Sequence, residues 1–184
     1  AVPGRLGAVS GLRRTLLGWS SGKDSAWALG VLRDDPAVEP VGLVTTMNAA
    51  FDRVAMHAVR RALLEAQAAA VGLPLTTVEI PYPCSDEEYA AAMGAFVERA
   101  RGDGIEAMAF GDLFLADVRA YREERLAGSG IEPLFPLWGE NTAGLARRMI
   151  GAGLTATVTC VDPKALDAAF AGRAFDAAFL ADLP

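Results

Sequence analysis

Apolar and polar positions along this chain alternate between two patterns. Short apolar runs bounded by Gly or Pro, at Thr15 to Gly18, Pro40 to Thr46, Leu75 to Ile80 and Glu106 to Phe110, have the length of buried strands. Longer segments with helical spacing lie between them. The first follows a polar turn and covers Ala26 to Leu32. A second is predicted over Arg53 to about Val71, capped by Asp52 and stopped by Gly72-Leu73-Pro74, with Val54, Ala58, Leu63 and Ala66 on its apolar face. Ser85, with Glu88 three residues on, is a capping-box start for a helix to about Arg101. Two more helices are expected, from Leu115 to Leu126 and from Asn141 or Thr142 to Gly151. Pro133 to Gly139 reads as irregular, Leu154 to Val161 as a further strand, and Pro163 as the opening of a final helical region.

Strands that alternate with helices imply βαβ units, a largely parallel sheet and right-handed crossovers. The reading is one α/β domain over residues 15–184, preceded by an extension over residues 1–14. Ligands of such sheets sit beyond the carboxyl ends of the strands, near the switch point of strand order. Three strand ends meet there: Trp19 to Ser25, Thr45-Thr46-Met47-Asn48, and Gly111-Asp112.

The first of these ends carries the chemistry. Trp19-Ser20-Ser21-Gly22-Lys23-Asp24-Ser25 is a polar glycine turn between a strand and a helix. That order aims unpartnered amides and the positive end of a helix dipole at one point, which suits an anion. Ser20, Ser21 and Ser25 add hydroxyl donors and Lys23 a point charge. The G-x-x-x-x-G-K-[ST] loop does not fit, because Gly18 and Gly22 are too close and Asp24 follows Lys23. The G-x-G-x-x-G fingerprint is absent too. The bland alternative is a capped helix start in which Ser21 or Asp24 satisfies local amides.

Composition narrows the function. Apolar residues make up 52% and charged residues 22% of 184, a globular balance, and the net charge is −6. No basic excess exists to neutralise nucleic-acid phosphates, so general nucleic-acid binding is not expected. The two cysteines, Cys84 and Cys160, are far apart in apolar surroundings and read as buried thiols. A single histidine, His57, rules out a multi-histidine metal centre. Neither a signal peptide nor a membrane span is read, and the expected location is the cytoplasm. Of 17 basic residues only Lys23 and Lys164 are lysine, so one of two lysines stands in the candidate loop.

Ser20-Ser21-Gly22-Lys23-Asp24-Ser25 resembles the S-G-G-x-D-S loop of the PP-loop ATP pyrophosphatases. From about Thr15 to Pro184 the chain is similar to the diphthine–ammonia ligase branch of that group. The resemblance is carried by this loop, Leu43 to Thr46 with Arg53 to His57, Phe110-Gly111-Asp112 through Tyr121 to Glu124, and Leu134 to Trp138 with Thr142. It implies a HUP-type (Rossmann-like) three-layer sandwich around a five-stranded, largely parallel sheet. It also implies ATP and Mg as cofactors and an AMP-forming reaction: a carboxylate acceptor, of unspecified identity, is adenylated and then attacked by ammonia. Two departures stand out. Ser21 occupies a position that is usually glycine, which a serine can fill if no positive φ is needed. The family's Gly-, Glu- and Asn-rich acceptor segment does not follow within residues 15–184.

Roles follow from that likeness. Ser20, Ser21, Gly22 and Ser25 would hold the β,γ-phosphates, Lys23 would offset charge at the α-phosphate, and Asp24 would hold Mg through the phosphates or compensate the helix dipole. Thr45 and Met47 would contact the adenosine; core filling is the other role for Met47. Gly111 would give the nucleotide close approach beside the Asp112 carboxylate, or the pair is a capped turn. His57, placed on one helix face with Arg53 and Arg60 or Arg61, and Glu123 would meet acceptor or ammonia, and Trp138 would wall the pocket. Structural roles stand beside all three. Rival functions are a tRNA-modifying thiolase or lysidine-type synthetase, which the cysteine count and acidic charge disfavour, and a nucleotide-binding sensor without turnover. Leu134 to Trp138, if exposed, would support a homodimer.

Overall fold

The computed structural model describes residues 11–184. Its sheet holds β1 (Arg13–Gly18), β2 (Val38–Asn48), β3 (Arg53–Val54), β4 (Leu75–Ile80), β5 (Ala107–Ala109) and β6 (Glu132–Leu134). Five strands run parallel in the order β4-β2-β1-β5-β6, and β3 pairs antiparallel with the end of β2. The helices are α1 (Lys23–Asp34), α2 (Arg61–Val71), α3 (Asp86–Gly102), α4 (Ala116–Leu126), α5 (Thr142–Gly151) and α6 (Ala177–Ala181). The switch point lies between β1 and β5, where the chain stops adding strands on one side and begins on the other.

Period-two alternation in the strands builds the layers. In β1, Leu17 packs in a cluster with Ala28, Leu29 and Leu32 of α1 and Leu64 and Ala68 of α2. Its neighbour Leu16 joins the opposite cluster, with Phe96, Val97 and Ala100 of α3 and Leu126 of α4. Helices therefore cover both faces, as a Rossmann-like HUP sandwich requires. The capping box of α3 is made: Ser85 Oγ accepts the Glu88 amide at 3.2 Å, and Glu88 Oε2 accepts the Ser85 amide at 2.8 Å. Asn141 is the cap of α5, accepting from the Gly144 amide at 2.8 Å.

Five expectations are corrected. The helix predicted from Arg53 is a short hairpin strand, an irregular turn, and only then α2 from Arg61. Asp52, Met56 and Ala58 all have positive φ, which no α-helix accommodates, and the Val54 amide bonds the Val59 carbonyl instead of an upstream turn. The buried face of α2 is consequently Leu64 and Ala68, one register away from the predicted Leu63 and Ala66. The second correction is at residues 132–134, which form β6 on the sheet edge inside a segment read partly as irregular.

Third, Leu154 to Val161 is not a strand. Leu154, Ala156 and Val158 do alternate inward, but against Phe175 and Phe179 in a small C-terminal cluster, through an irregular pairing of Thr157 with Ala174. Beyond Pro163 only a 3₁₀ turn at Ala168–Phe170 and α6 are helical. Fourth, Cys160 is exposed and Cys84 half-buried, both free. Fifth, Arg13 and Arg14, read as part of an extension, belong to β1; residues 1–10 of that extension lie outside the described residues.

The register of α2 has a direct test. Leu64 is fully buried and Leu63 is 53% exposed. Leu64→Ala is expected to cost about 2–5 kcal/mol in chemical denaturation, and Leu63→Ala within about 0.5 kcal/mol. The reverse order would restore the helix predicted from Arg53.

Candidate functional site

Beyond Gly18 the chain leaves the sheet under tight control. The Trp19 amide donates to the Val44 carbonyl at 2.8 Å, and the buried Thr45 hydroxyl donates to the Trp19 carbonyl at 2.6 Å. The Trp19 indole, itself buried, donates through Nε1 to Gln67 Oε1 at 3.1 Å. The other end of the Gln67 amide reaches the Ser21 carbonyl at 3.3 Å. On its inner side Ser25 Oγ donates to the Gly22 carbonyl at 3.0 Å and lies 3.2 Å from Ser20 Oγ. The turn is braced by backbone and side chains that all lie behind it.

What lies in front is only partly satisfied. The Gly22 amide donates to Ser20 Oγ at 3.3 Å. Gly22 is the N-cap of α1, and no side chain caps that helix; α2 and α4 also start without one, whereas Ser85, Asn141 and Asp176 cap α3, α5 and α6. The capped-start alternative for Ser21 or Asp24 is therefore not what the chain adopts. Ser21 Oγ is buried without a hydrogen-bond partner, the one such side-chain atom among the described residues. A hydroxyl in that state costs roughly 1–3 kcal/mol unless something supplies its bond. Ser21 also has φ of 64°, so the condition for tolerating a serine at that position is not met. The left-handed backbone adds about 1 kcal/mol of strain for a residue with a Cβ.

Lys23 and Asp24 form an ion pair at 2.7 Å, and the Lys23 ammonium also stands 5.7 Å from the centre of the Phe175 ring. No group of three or more His, Cys, Asp or Glu side chains suited to a metal occurs among the described residues. A magnesium ion would thus have Asp24 as its nearest loop carboxylate and would depend on phosphate oxygens for the rest, the usual habit of that ion.

Gly111 closes the site from β5. A Cβ there would stand 3.1 Å from the Asp24 carbonyl and the Ser25 amide nitrogen, so a side chain would push the two loops a few tenths of an ångström apart. Asp112 is tied to α4: Arg122 holds its carboxylate through two bonds, at 2.6 and 3.3 Å, and stacks 4.2 Å over Phe110. Glu123 accepts from Arg119 at 2.8 Å, and Arg119 lies over both Phe135 and Trp138. Glu123 and Trp138 thus share one arginine.

The structure brings Ser20 to Ser25, Thr45 and Gly111 together and sets Asp112 beside them. It does not bring His57 into this group. His57 is exposed on the turn after β3 rather than on a helix face with Arg53. Met47 is fully buried in the core cluster with Leu17 and Leu43. Leu134 to Trp138 is half-buried rather than exposed, with Leu137 fully buried. Sequence reasoning missed Gln67, Arg119 and Arg122. A lone glutamine in the alanine-rich run of α2 was the available signal for the first. The arginines were masked by a charge run that looks like an ordinary solvated face.

A Rossmann-like sheet with an uncapped, serine-rich turn after its first strand is the architecture of the PP-loop ATP-pyrophosphatase type, whose members use ATP. The family model of the diphthamide synthase N-terminal domain matches residues 13–132, about two thirds of the chain, and the chain belongs to that family. Among curated proteins no match is found. No helix among the described residues is long and apolar enough to cross a membrane.

The strain at Ser21 is measurable. Ser21→Ala and Ser21→Gly both remove the unpartnered hydroxyl, and only glycine also relieves the left-handed backbone, so Ser21→Gly is expected to melt about 1–2 °C above Ser21→Ala. Ser21→Gly melting below Ser21→Ala would mean that the positive φ is not the native state.

Proposed function

We propose that the chain is an ATP-dependent, AMP-forming amide ligase acting on a carboxylate acceptor in the cytoplasm. The observation that carries the reading is the orphaned Ser21 hydroxyl beside the uncapped amides of α1, at the switch point of the sheet. Those donors suit the oxygens of a polyphosphate. Ser20, Ser21, Gly22 and Ser25 take the β,γ-phosphates, and Thr45 stands on the adenosine side, while Met47 fills the core beneath it. Asp24 would hold the metal that travels with the nucleotide, which would supply charge neutralisation at the phosphates.

In the first step an acceptor carboxylate oxygen attacks the α-phosphorus, the α–β bridging P–O bond breaks, and pyrophosphate leaves. Ammonia then attacks the acyl carbon and AMP departs with the C–O bond electrons. Lys23 meets the charge that builds on the α-phosphate, a contribution on the order of 3 kcal/mol in a dry site. Its ion pair with Asp24 sets both side chains at the mouth of the loop. In this reading Glu123 and Trp138, held by Arg119, meet acceptor and ammonia, and His57, which stands outside the loop group, takes no part. Thiolase chemistry is disfavoured: burial, then Glu88 and Asp86, push the Cys84 thiol up and away from the thiolate form.

Calorimetric titration tests the first half of this reading. Mg-ATP is expected to bind saturably, with Mg-GTP much weaker, and the Asp24→Ala, Ser25→Ala double variant should lose binding. Absence of binding by folded wild type would remove the reading. Turnover is tested by pyrophosphate release with ammonia and a panel of carboxylates. Lys23→Ala should lower kcat roughly 100- to 1000-fold with little change in nucleotide affinity. Nucleotide binding with no pyrophosphate release from any acceptor would favour a sensor.

A further inference from the structure

On the face away from α1, helices α3 and α4 do not close on each other. Between them lies a cavity of about 440 Å³, within the range of small-molecule sites. Its floor is apolar: Val97, Met108 and Phe110 are buried, and Met93 packs against the same cluster. Tyr89 and Tyr121, whose ring centres are 6.4 Å apart, stand at one end. Desolvation raises the Tyr89 phenol above its ordinary range, so it stays a neutral hydrogen-bond donor.

Two features of the lining point to an occupant. The first is charge. Arg101, Arg122 and Arg125 line it with Glu98 as the one lining carboxylate, in a chain whose net charge is −6. Arg122 is committed to Asp112, but Arg101 and Arg125 make no ion pair among the described residues. The second is Gly94, which sits within α3 at the cavity wall. A mid-helix glycine is unfavourable, and its common use is to let a neighbouring helix approach. Here a Cβ at Gly94 would meet nothing within 4 Å. The missing side chain does not serve close helix contact; it keeps the groove open.

We propose that this cavity binds a small organic anion with an apolar body, its anionic group held by the Arg101 and Arg125 guanidinia and its body laid on Met93, Val97, Met108 and Phe110. Arginine forks match carboxylate oxygens, and the apolar floor excludes a bare inorganic ion as the fitting ligand. This inference stands on the cavity and does not depend on nucleotide binding by the loop.

Ligand-observed NMR titration of the full chain, without nucleotide, tests it with 3-phenylpropionate, its neutral amide 3-phenylpropanamide, and inorganic phosphate. The propionate is expected to bind saturably, with the amide and phosphate at least 10-fold weaker. Arg101→Gln with Arg125→Gln should raise Kd for the propionate at least 10-fold. Gly94→Leu, which fills open space and replaces a poor helix former, should melt at or above the wild-type temperature and lose binding. The proposal is overturned if folded wild type shows no saturable propionate binding, or if Gly94→Leu binds as wild type does. Equal binding of the amide would overturn the anionic assignment, and equal binding of phosphate the apolar one.

Discussion

The hydrogen bond from the buried Thr45 hydroxyl to the Trp19 carbonyl is the contact on which the candidate site depends. A strand that leaves a parallel sheet must find partners for the backbone groups it takes away. Thr45 supplies one from the adjacent strand, and the Val44 carbonyl takes the Trp19 amide. Gln67, reaching over from α2, takes the Ser21 carbonyl. With the inward-facing groups satisfied this way, the turn has no need of a capping side chain. The amides at the start of α1 are left for something outside the chain.

The opposite wall comes from α4. Its arginines do not form a simple solvated face: Arg122 joins Asp112 to the Phe110 ring, and Arg119 joins Glu123 to Phe135 and Trp138. Each guanidinium links a carboxylate to an aromatic surface, so the carboxylates near the site are oriented from behind. Arg122 also lines the cavity between α3 and α4. One side chain therefore borders both the β5 end of the loop site and the second cavity.

The strand-turn-helix order around Ser20 to Ser25 was legible because its signals are local: an apolar run, a glycine turn and an amphipathic segment within 20 residues. The capping box at Ser85 and the cap at Asn141 were legible for the same reason. Failures came where backbone conformation or distant packing decides. Met56 and Ala58 give no composition signal for a left-handed backbone, so the β3 turn read as helix and carried His57 onto a face it does not occupy. The alternation of Leu154, Ala156 and Val158 is real, but its partner is Phe175 and Phe179 rather than the sheet. Ser21 illustrates the limit: its sequence position flagged a departure, and only φ showed that the departure carries strain.

The central claim is that the turn after β1 holds nucleotide phosphates. A crystal structure with Mg and α,β-methylene-ATP, whose bridging carbon blocks cleavage, tests it most directly. The account predicts polyphosphate oxygens within hydrogen-bond distance of the Lys23 to Ser25 amides and of Ser21 Oγ. A nucleotide ordered elsewhere on the chain, with that hydroxyl still unpartnered, would contradict it.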